Sequence, residues 1–272
     1  MNSSRSDYFS ASVVVYGVVC ALLMLCRICY RDIAIGAAPL VPGIGALTGL
    51  CSPILCFWAG VLLRVWYPHP RRWMEALFAV ASVFMLGCYL DVQYQEPTFM
   101  SQFHPGMPLA MMGAGFLLLP GIESRKTREQ GWTYLFMLAL SAFCYTAIAV
   151  VKDRMLLGRL MPEHLDMELL IKHLLLLAEP LLALLTACLA GQFAFSNISL
   201  KLGSVRWLKN LVLILSIFTF FIEFRTFKGS LSFLGHGFLI HVTFLIRMAV
   251  QPLCVYLIYT LGWGAVKKKV VE

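Results

Sequence analysis

The stretch "IKHLLLLAEPLLALLTACLAGQ", residues 171–192, decides the class of fold. A helix that crosses the roughly 30 Å hydrocarbon core of a bilayer needs about 20 predominantly apolar residues, and this run supplies them. Its apolar residues are continuous rather than alternating, which favours a membrane-spanning helix over a barrel strand. Glu179 lies near the middle of the run, directly before Pro180. A carboxyl group in hydrocarbon is costly, so its presence there requires an explanation.

The composition of the whole chain agrees with this stretch. Of 272 residues, 60% are hydrophobic and 13% are charged, about half of the roughly 25% charged residues of a soluble domain. The charges fall in short runs between long apolar stretches, as in a polytopic membrane protein. We therefore expect an all-α integral membrane bundle of about eight transmembrane helices, with residues 1–272 as a single domain and no soluble domain. The predicted spans are 9–28, 40–63, 73–90, 106–122, 132–151, 169–195, 207–223 and 237–262.

The net charge of +8 indicates contact with lipid rather than with nucleic acid. The basic residues lie beside the predicted span ends, where they orient helices and contact headgroups, and no basic stripe interleaved with aromatic residues occurs outside the spans. Thirteen Lys and Arg residues fall in the loops on one side and seven on the other. This bias predicts a multi-pass protein of a cell membrane with both termini cytoplasmic. Glu75 follows Arg71 and Arg72, and we expect it to pair with them.

The sixth and eighth predicted spans carry opposite charges at matched positions. Glu179 and Arg247 each lie ten residues inside spans that run in the same direction, which places both about 15 Å deep, near the bilayer midplane. An ion pair would remove much of the cost of burying each charge, and Gln251 lies one turn beyond Arg247. The pair either links two helices or belongs to a polar path. Pro180 slightly favours the path, because broken helices near the midplane build transporter sites.

Two histidines occupy matched positions nearer the outer side. His173 and His241 each lie four residues inside their spans. A haem held between them is conceivable, but the neighbouring residues are mostly bulky, so we expect polar residues that line the outer approach to the charge pair. The acidic run before residue 173 is better explained as a helix start than as a metal site. We predict neither a metal nor a cofactor.

No catalytic motif is present, and the sequence is not expected to encode an enzyme. It lacks G-x-x-x-x-G-K, H-E-x-x-H and paired-aspartate motifs. We expect a transporter or permease of a small molecule, ion or proton, whose site consists of Glu179, Arg247, Gln251, His173 and His241. A non-catalytic membrane sensor or assembly subunit, which presents a short loop to a membrane protein partner, is the main alternative. A haem-binding electron carrier is the third.

Overall fold

The computed structural model describes residues 3–33, 41–91, 106–118, 131–156, 165–197, 210–218, 220–221, 249–250 and 252–261. All regular secondary structure in these ranges is helical, which confirms the all-α class. The helices are α1 (Ser3–Ile33), α2 (Val41–Trp66), α3 (Arg72–Asp91), α4 (Gly106–Leu118), α5 (Gly131–Leu156), α6 (Leu165–Asn197), α7 (residues 210–218) and α8 (Pro252–Leu261).

Within the described ranges, five helices are long and apolar enough to cross a membrane. They are α1, α2, α3, α5 and α6, and they correspond to five of the eight predicted spans. α4 and α8 are apolar but shorter. The chain therefore has the helices of a multi-pass membrane protein. The apolar stretches of these five helices are Tyr8–Cys26, Gly43–Trp66, Arg72–Tyr89, Gly131–Val151 and Leu174–Phe195.

Helix α2 is the centre of the bundle, where it packs against α1, α4, α5 and α6. Within its apolar stretch 78% of the residues are buried, against 11% in α3 and 17% in α5. A helix that is apolar on every side is stable only when neighbours or lipid surround it. α2 has neighbours. α3 and α5 instead turn large apolar side chains outward, including Val80, Val83 and Phe143, which suits a surface in contact with lipid.

Helix α4 packs closely against α2 and α3 because glycines lie at both contacts. A Cβ atom added at Gly60 would overlap the carbonyl oxygen of Met112, and one added at Gly115 would overlap the carbonyl oxygen of Phe57. On the other side of α4, a Cβ at Gly113 would overlap the Ser82 hydroxyl of α3. Small residues let helix backbones approach, and dispersion contacts then hold them together. These glycines fix the position of α4 between its neighbours.

Helices α7 and α8 join the core formed by α1 and α2. Val212 of α7 lies against Gly17 of α1, where an added Cβ would overlap its side chain. In α8, Leu257 and Ile258 are buried in the same hydrophobic cluster. The second half of the chain thus packs against the N-terminal helices.

One salt bridge marks the junction of α2 and α3. Arg64 Nη1 in the last turn of α2 lies 2.9 Å from Glu75 Oε1 in the first turn of α3. The Arg64 guanidinium also lies 5.3 Å from the centre of the Phe116 ring. Proximity in sequence led us to expect that Glu75 pairs with Arg71 and Arg72. That expectation is wrong, because Glu75 pairs with Arg64. The salt bridge joins the last turn of α2 to the first turn of α3, while α4 packs against both helices.

Exposed tryptophans surround this same end of the bundle. Trp66 ends α2, Trp73 begins α3 and Trp132 begins α5, and all three face outward. Tryptophan is enriched where the hydrocarbon meets the headgroups. This arrangement of the three side chains is typical of a membrane interface.

Candidate functional site

The carboxyl group of Glu179 is buried inside the bundle and bonded to two other helices. Its residue is 6% exposed. The hydroxyl of Tyr89 donates a hydrogen bond to Oε2 over 2.5 Å, and the hydroxyl of Tyr145 donates to Oε1 over 3.1 Å. Tyr89 belongs to α3, Tyr145 to α5 and Glu179 to α6. We call these three residues the Glu179 cluster.

The three residues of the cluster lie towards the same end of the bundle. Tyr89 and Tyr145 lie in the second halves of α3 and α5, and Glu179 lies in the first half of α6. Since α6 runs opposite to α3 and α5, these positions fall on the same side of the bundle's centre.

The hydrogen bonds of the cluster are of the size needed to hold a carboxyl group there. An acidic residue deep in a span costs roughly 2.5–3.5 kcal/mol on insertion scales. A hydrogen bond to a charged group contributes roughly 1.5–3 kcal/mol. Two phenol donors, one on each carboxyl oxygen, therefore offset a cost of this magnitude.

Helix α6 carries a second polar contact with α5. The hydroxyl of Thr186 lies 3.1 Å from that of Ser141, and it also donates to the carbonyl of Leu182 over 2.6 Å. α5 is the main packing partner of α6, whereas α3 packs chiefly on α4. Tyr145 thus reinforces an extensive helix contact, and Tyr89 reaches α6 from a helix that packs elsewhere.

Helix α3 packs chiefly on α4, and its hydrogen bond to α6 comes from Tyr89. The two tyrosines therefore lie on helices that are positioned by different neighbours. Tyr145 belongs to a helix that packs along α6, and Tyr89 belongs to one that is positioned by α4. A change at Glu179 would be transmitted to two different parts of the bundle.

Helix α6 is held against the centre of the bundle by Trp58 of α2. The indole Nε1 donates a hydrogen bond to the carbonyl oxygen of Ala187 over 3.1 Å. The indole ring lies against Gly191, where an added Cβ would overlap it. This contact fixes the height of α6 relative to α2, and with it the level of Glu179.

Proline at position 180 removes one hydrogen-bond donor beside the cluster. Pro180 has no N–H group, so it cannot donate to the carbonyl of Leu176, which is buried with Glu179. The helix nevertheless continues through Pro180 to Asn197. A carbonyl oxygen with spare accepting capacity therefore lies one turn from the carboxyl group.

The structure describes the side chain of one of the five predicted site residues, Glu179. His173 lies within α6, but its side chain is outside the described part of the chain. His241, Arg247 and Gln251 also lie outside the described residues. The Glu179–Arg247 pair therefore stays a prediction.

Sequence reasoning missed Tyr89 and Tyr145. Each lies in an apolar run, where a tyrosine resembles an interfacial or lipid-facing residue. The usable signal is position along the helix: both lie in the halves of α3 and α5 that adjoin the first half of α6. Position along the helix alone does not tell which face of a helix a residue occupies.

Across the ranges that the structure describes, no three His, Cys, Asp or Glu side chains are grouped so that they could hold a metal ion. The polar groups of the Glu179 cluster are a carboxyl and two phenols, which suit exchange of hydrogen bonds or protons. Searches against protein-family models, curated proteins and solved structures gave no match for this chain.

Proposed function

We propose that the chain is a transporter or permease that moves a small molecule, ion or proton across a membrane, with Glu179 as its central polar group. The observation that supports this is the buried carboxyl group of Glu179, held by phenols from two other helices. Ionisable residues inside a membrane are costly, and they commonly mark substrate or proton pathways.

The remaining parts of the site come from the sequence. In this proposal Arg247 supplies the opposite charge, Gln251 assists it, and His173 and His241 line the outer approach. The chain crosses the membrane eight times as one domain, surrounded by lipid, with both termini cytoplasmic. The basic residues beside the exposed tryptophans at the α2–α3 junction support a cytoplasmic position for that end. They are Arg64, Arg71 and Arg72.

The geometry suggests how binding at Glu179 would be coupled to movement. A solute or proton that reaches the carboxyl group must replace or rearrange a phenol hydrogen bond. Since Tyr89 and Tyr145 lie on different helices, each replacement weakens a different helix contact. Occupancy of Glu179 thereby changes how α3 or α5 is held, which is what alternating access to a buried site requires.

The test compares two variants with the same chemical change. Purified protein is reconstituted in liposomes that contain a pH-sensitive dye, and proton flux is recorded with and without a panel of amino acids, sugars and metal cations. We expect Glu179→Gln to abolish the flux that the wild type supports, while Glu75→Gln, at the exposed junction, retains it. Normal flux through the Glu179→Gln protein would refute the proposal.

A non-catalytic sensor or assembly subunit is the second candidate. It is favoured by the fact that both oxygens of Glu179 already accept hydrogen bonds inside a packed interface, as in a structural link between helices. In that case Glu179→Gln would lower stability, no solute of the panel would move, and a partner would co-purify in a fixed ratio.

A further inference from the structure

A glycine of α2 leaves the hydroxyl group of Tyr145 beside an opening in the bundle surface. Gly49 is exposed, and a Cβ atom added to it would lie 3.9 Å from Tyr145 Oη. Among the described residues, no atom of another helix lies closer to that position. The space that a side chain would fill is therefore open, and the phenol hydroxyl borders it. We call this space the Gly49 gap.

The hydroxyl that borders the Gly49 gap also reaches the buried carboxyl group. Tyr145 Oη donates to Glu179 Oε1 over 3.1 Å, so one hydroxyl links the gap to a residue that is 6% exposed. Tyr145 as a whole is 3% exposed, which allows contact with a water molecule but not with a larger solute. Within the described part of the chain, Glu179 belongs to no group of three His, Cys, Asp or Glu side chains that could hold a metal ion. These features favour a proton over a solute or a metal ion.

The hydrogen bonds of the Glu179 cluster suit both protonation states of its carboxyl group. As a carboxylate, Glu179 accepts from Tyr89 at Oε2 and from Tyr145 at Oε1. A phenol hydroxyl can donate or accept, and a protonated carboxyl group has one O–H donor and one carbonyl oxygen. With the proton on Oε1, that oxygen donates to Tyr145 while Oε2 still accepts from Tyr89. Both oxygens therefore keep a partner in either state, and a proton can bind and leave without stranding a buried polar atom.

We infer that the species bound at Glu179 is a proton and that it enters from the Gly49 gap through Tyr145, which rests on the proposed role of Glu179 and makes it specific. A hydronium ion in the gap gives a proton to Tyr145 Oη while the original phenol proton passes to Glu179 Oε1. One Oη–H bond breaks, another forms, and Oε1 gains a proton, so that a water molecule, a phenol and a carboxylic acid remain. The hydrogen bonds of Glu179 are then neutral and roughly half as strong, which loosens its links to α3 and α5.

The test follows exchange at the carboxyl group itself. Infrared difference spectra of the purified full-length protein against its Glu179→Gln variant identify the C=O stretching band of the protonated side chain between about pH 4 and 7. After rapid transfer to D2O, the shift of this band gives the exchange rate. We expect Gly49→Leu, whose side chain fills the gap, to slow exchange about tenfold, which corresponds to a barrier raised by about 1.4 kcal/mol. Gly49→Ala, whose methyl group fits at ordinary contact distance from Tyr145, should slow it less.

Gly43→Leu is the matched control, because it makes the same change in the same helix. Gly43 lies six residues before Gly49, about 120° away around the helix axis, and no described atom lies within 4 Å of an added Cβ. This variant should exchange at the wild-type rate. The inference is overturned if no Glu179-dependent band shifts in D2O, or if the Gly49→Leu and Gly43→Leu proteins exchange at equal rates. Absence of proton flux in liposomes would refute transport alone, since exchange at the carboxyl group is measured without it.

Discussion

The indole Nε1 of Trp58 lies 3.1 Å from the carbonyl oxygen of Ala187, and this hydrogen bond joins α2 to α6 inside the core. Both side chains are fully buried. A main-chain carbonyl can accept a second hydrogen bond without losing its helical one, so the indole N–H is satisfied without disrupting α6. Because Glu179 is part of α6, the packing of Trp58 contributes to the level at which the carboxyl group meets Tyr89 and Tyr145.

Trp58→Phe should destabilise the protein by about 2–3 kcal/mol, since it removes a buried hydrogen bond and leaves a cavity. Reversible unfolding in mixed micelles measures this difference. Trp132→Phe is the matched control, because Trp132 is 83% exposed and should change stability little. Equal effects of the two substitutions would contradict the central role of Trp58.

Gly191→Ala should destabilise by about 1–3 kcal/mol, because the added methyl group overlaps the Trp58 ring. The same assay applied to a Gly191→Ala, Trp58→Phe double variant should show less than the sum of the two effects, since the smaller ring leaves room for the methyl group. At Gly43 no atom of the described structure lies within 4 Å of an added Cβ. Gly43→Ala should therefore be tolerated. Additive effects of Gly191→Ala and Trp58→Phe would argue against a contact between Gly191 and the Trp58 ring.

Tyr89→Phe and Tyr145→Phe each remove one donor from the buried carboxyl group of Glu179 and should each cost about 1–3 kcal/mol. Combining either with Glu179→Gln should give a non-additive result, because the substitutions act on one interaction. Tyr67→Phe, at an exposed position, serves as the control. Additive double variants would show that the phenols and the carboxyl group act independently.

The Arg64–Glu75 salt bridge should contribute little. Glu75 is 40% exposed, so a double-variant cycle should give a coupling of about 0.2–1 kcal/mol that falls with added salt. Arg64→Ala should nevertheless cost more than Glu75→Ala, since Arg64 also packs over the Phe116 ring. Equal costs, or coupling that is insensitive to salt, would require a different account of this junction.

The connection between α2 and α3 should face the cytoplasm. His69 is exposed there, so His69→Cys places a reactive thiol at the junction, while the wild-type protein reports labelling of the native cysteines. We expect a membrane-impermeant maleimide to label the new thiol in inverted vesicles and not in intact cells. Labelling in intact cells would show that the orientation is reversed.

The sequence predicts the positions of the apolar helices well, because these depend on the length of apolar runs. It predicts contacts between side chains poorly, because these depend on which face of a helix each residue occupies. The charged residues on either side of the third apolar run locate the helix that begins near Trp73. Glu179 is recognisable because it is an acidic residue within a leucine-rich run. The predicted pairing of Glu75 with Arg71 and Arg72 is wrong, because proximity in sequence does not ensure proximity in space. Tyr89 and Tyr145 were missed because the sequence of an apolar run does not show which neighbouring helix a tyrosine side chain faces.

The central position of α2 also has a consequence for how the chain is made. α2 leaves the ribosome before α4, α5 and α6, three of the four helices that surround it. Until they arrive, the groove beside Gly60 is filled by lipid, and α2 must remain stable as an isolated apolar helix. A nascent chain stalled before residue 106 would present that open groove within the membrane, where chaperones that survey unassembled helices could recognise it.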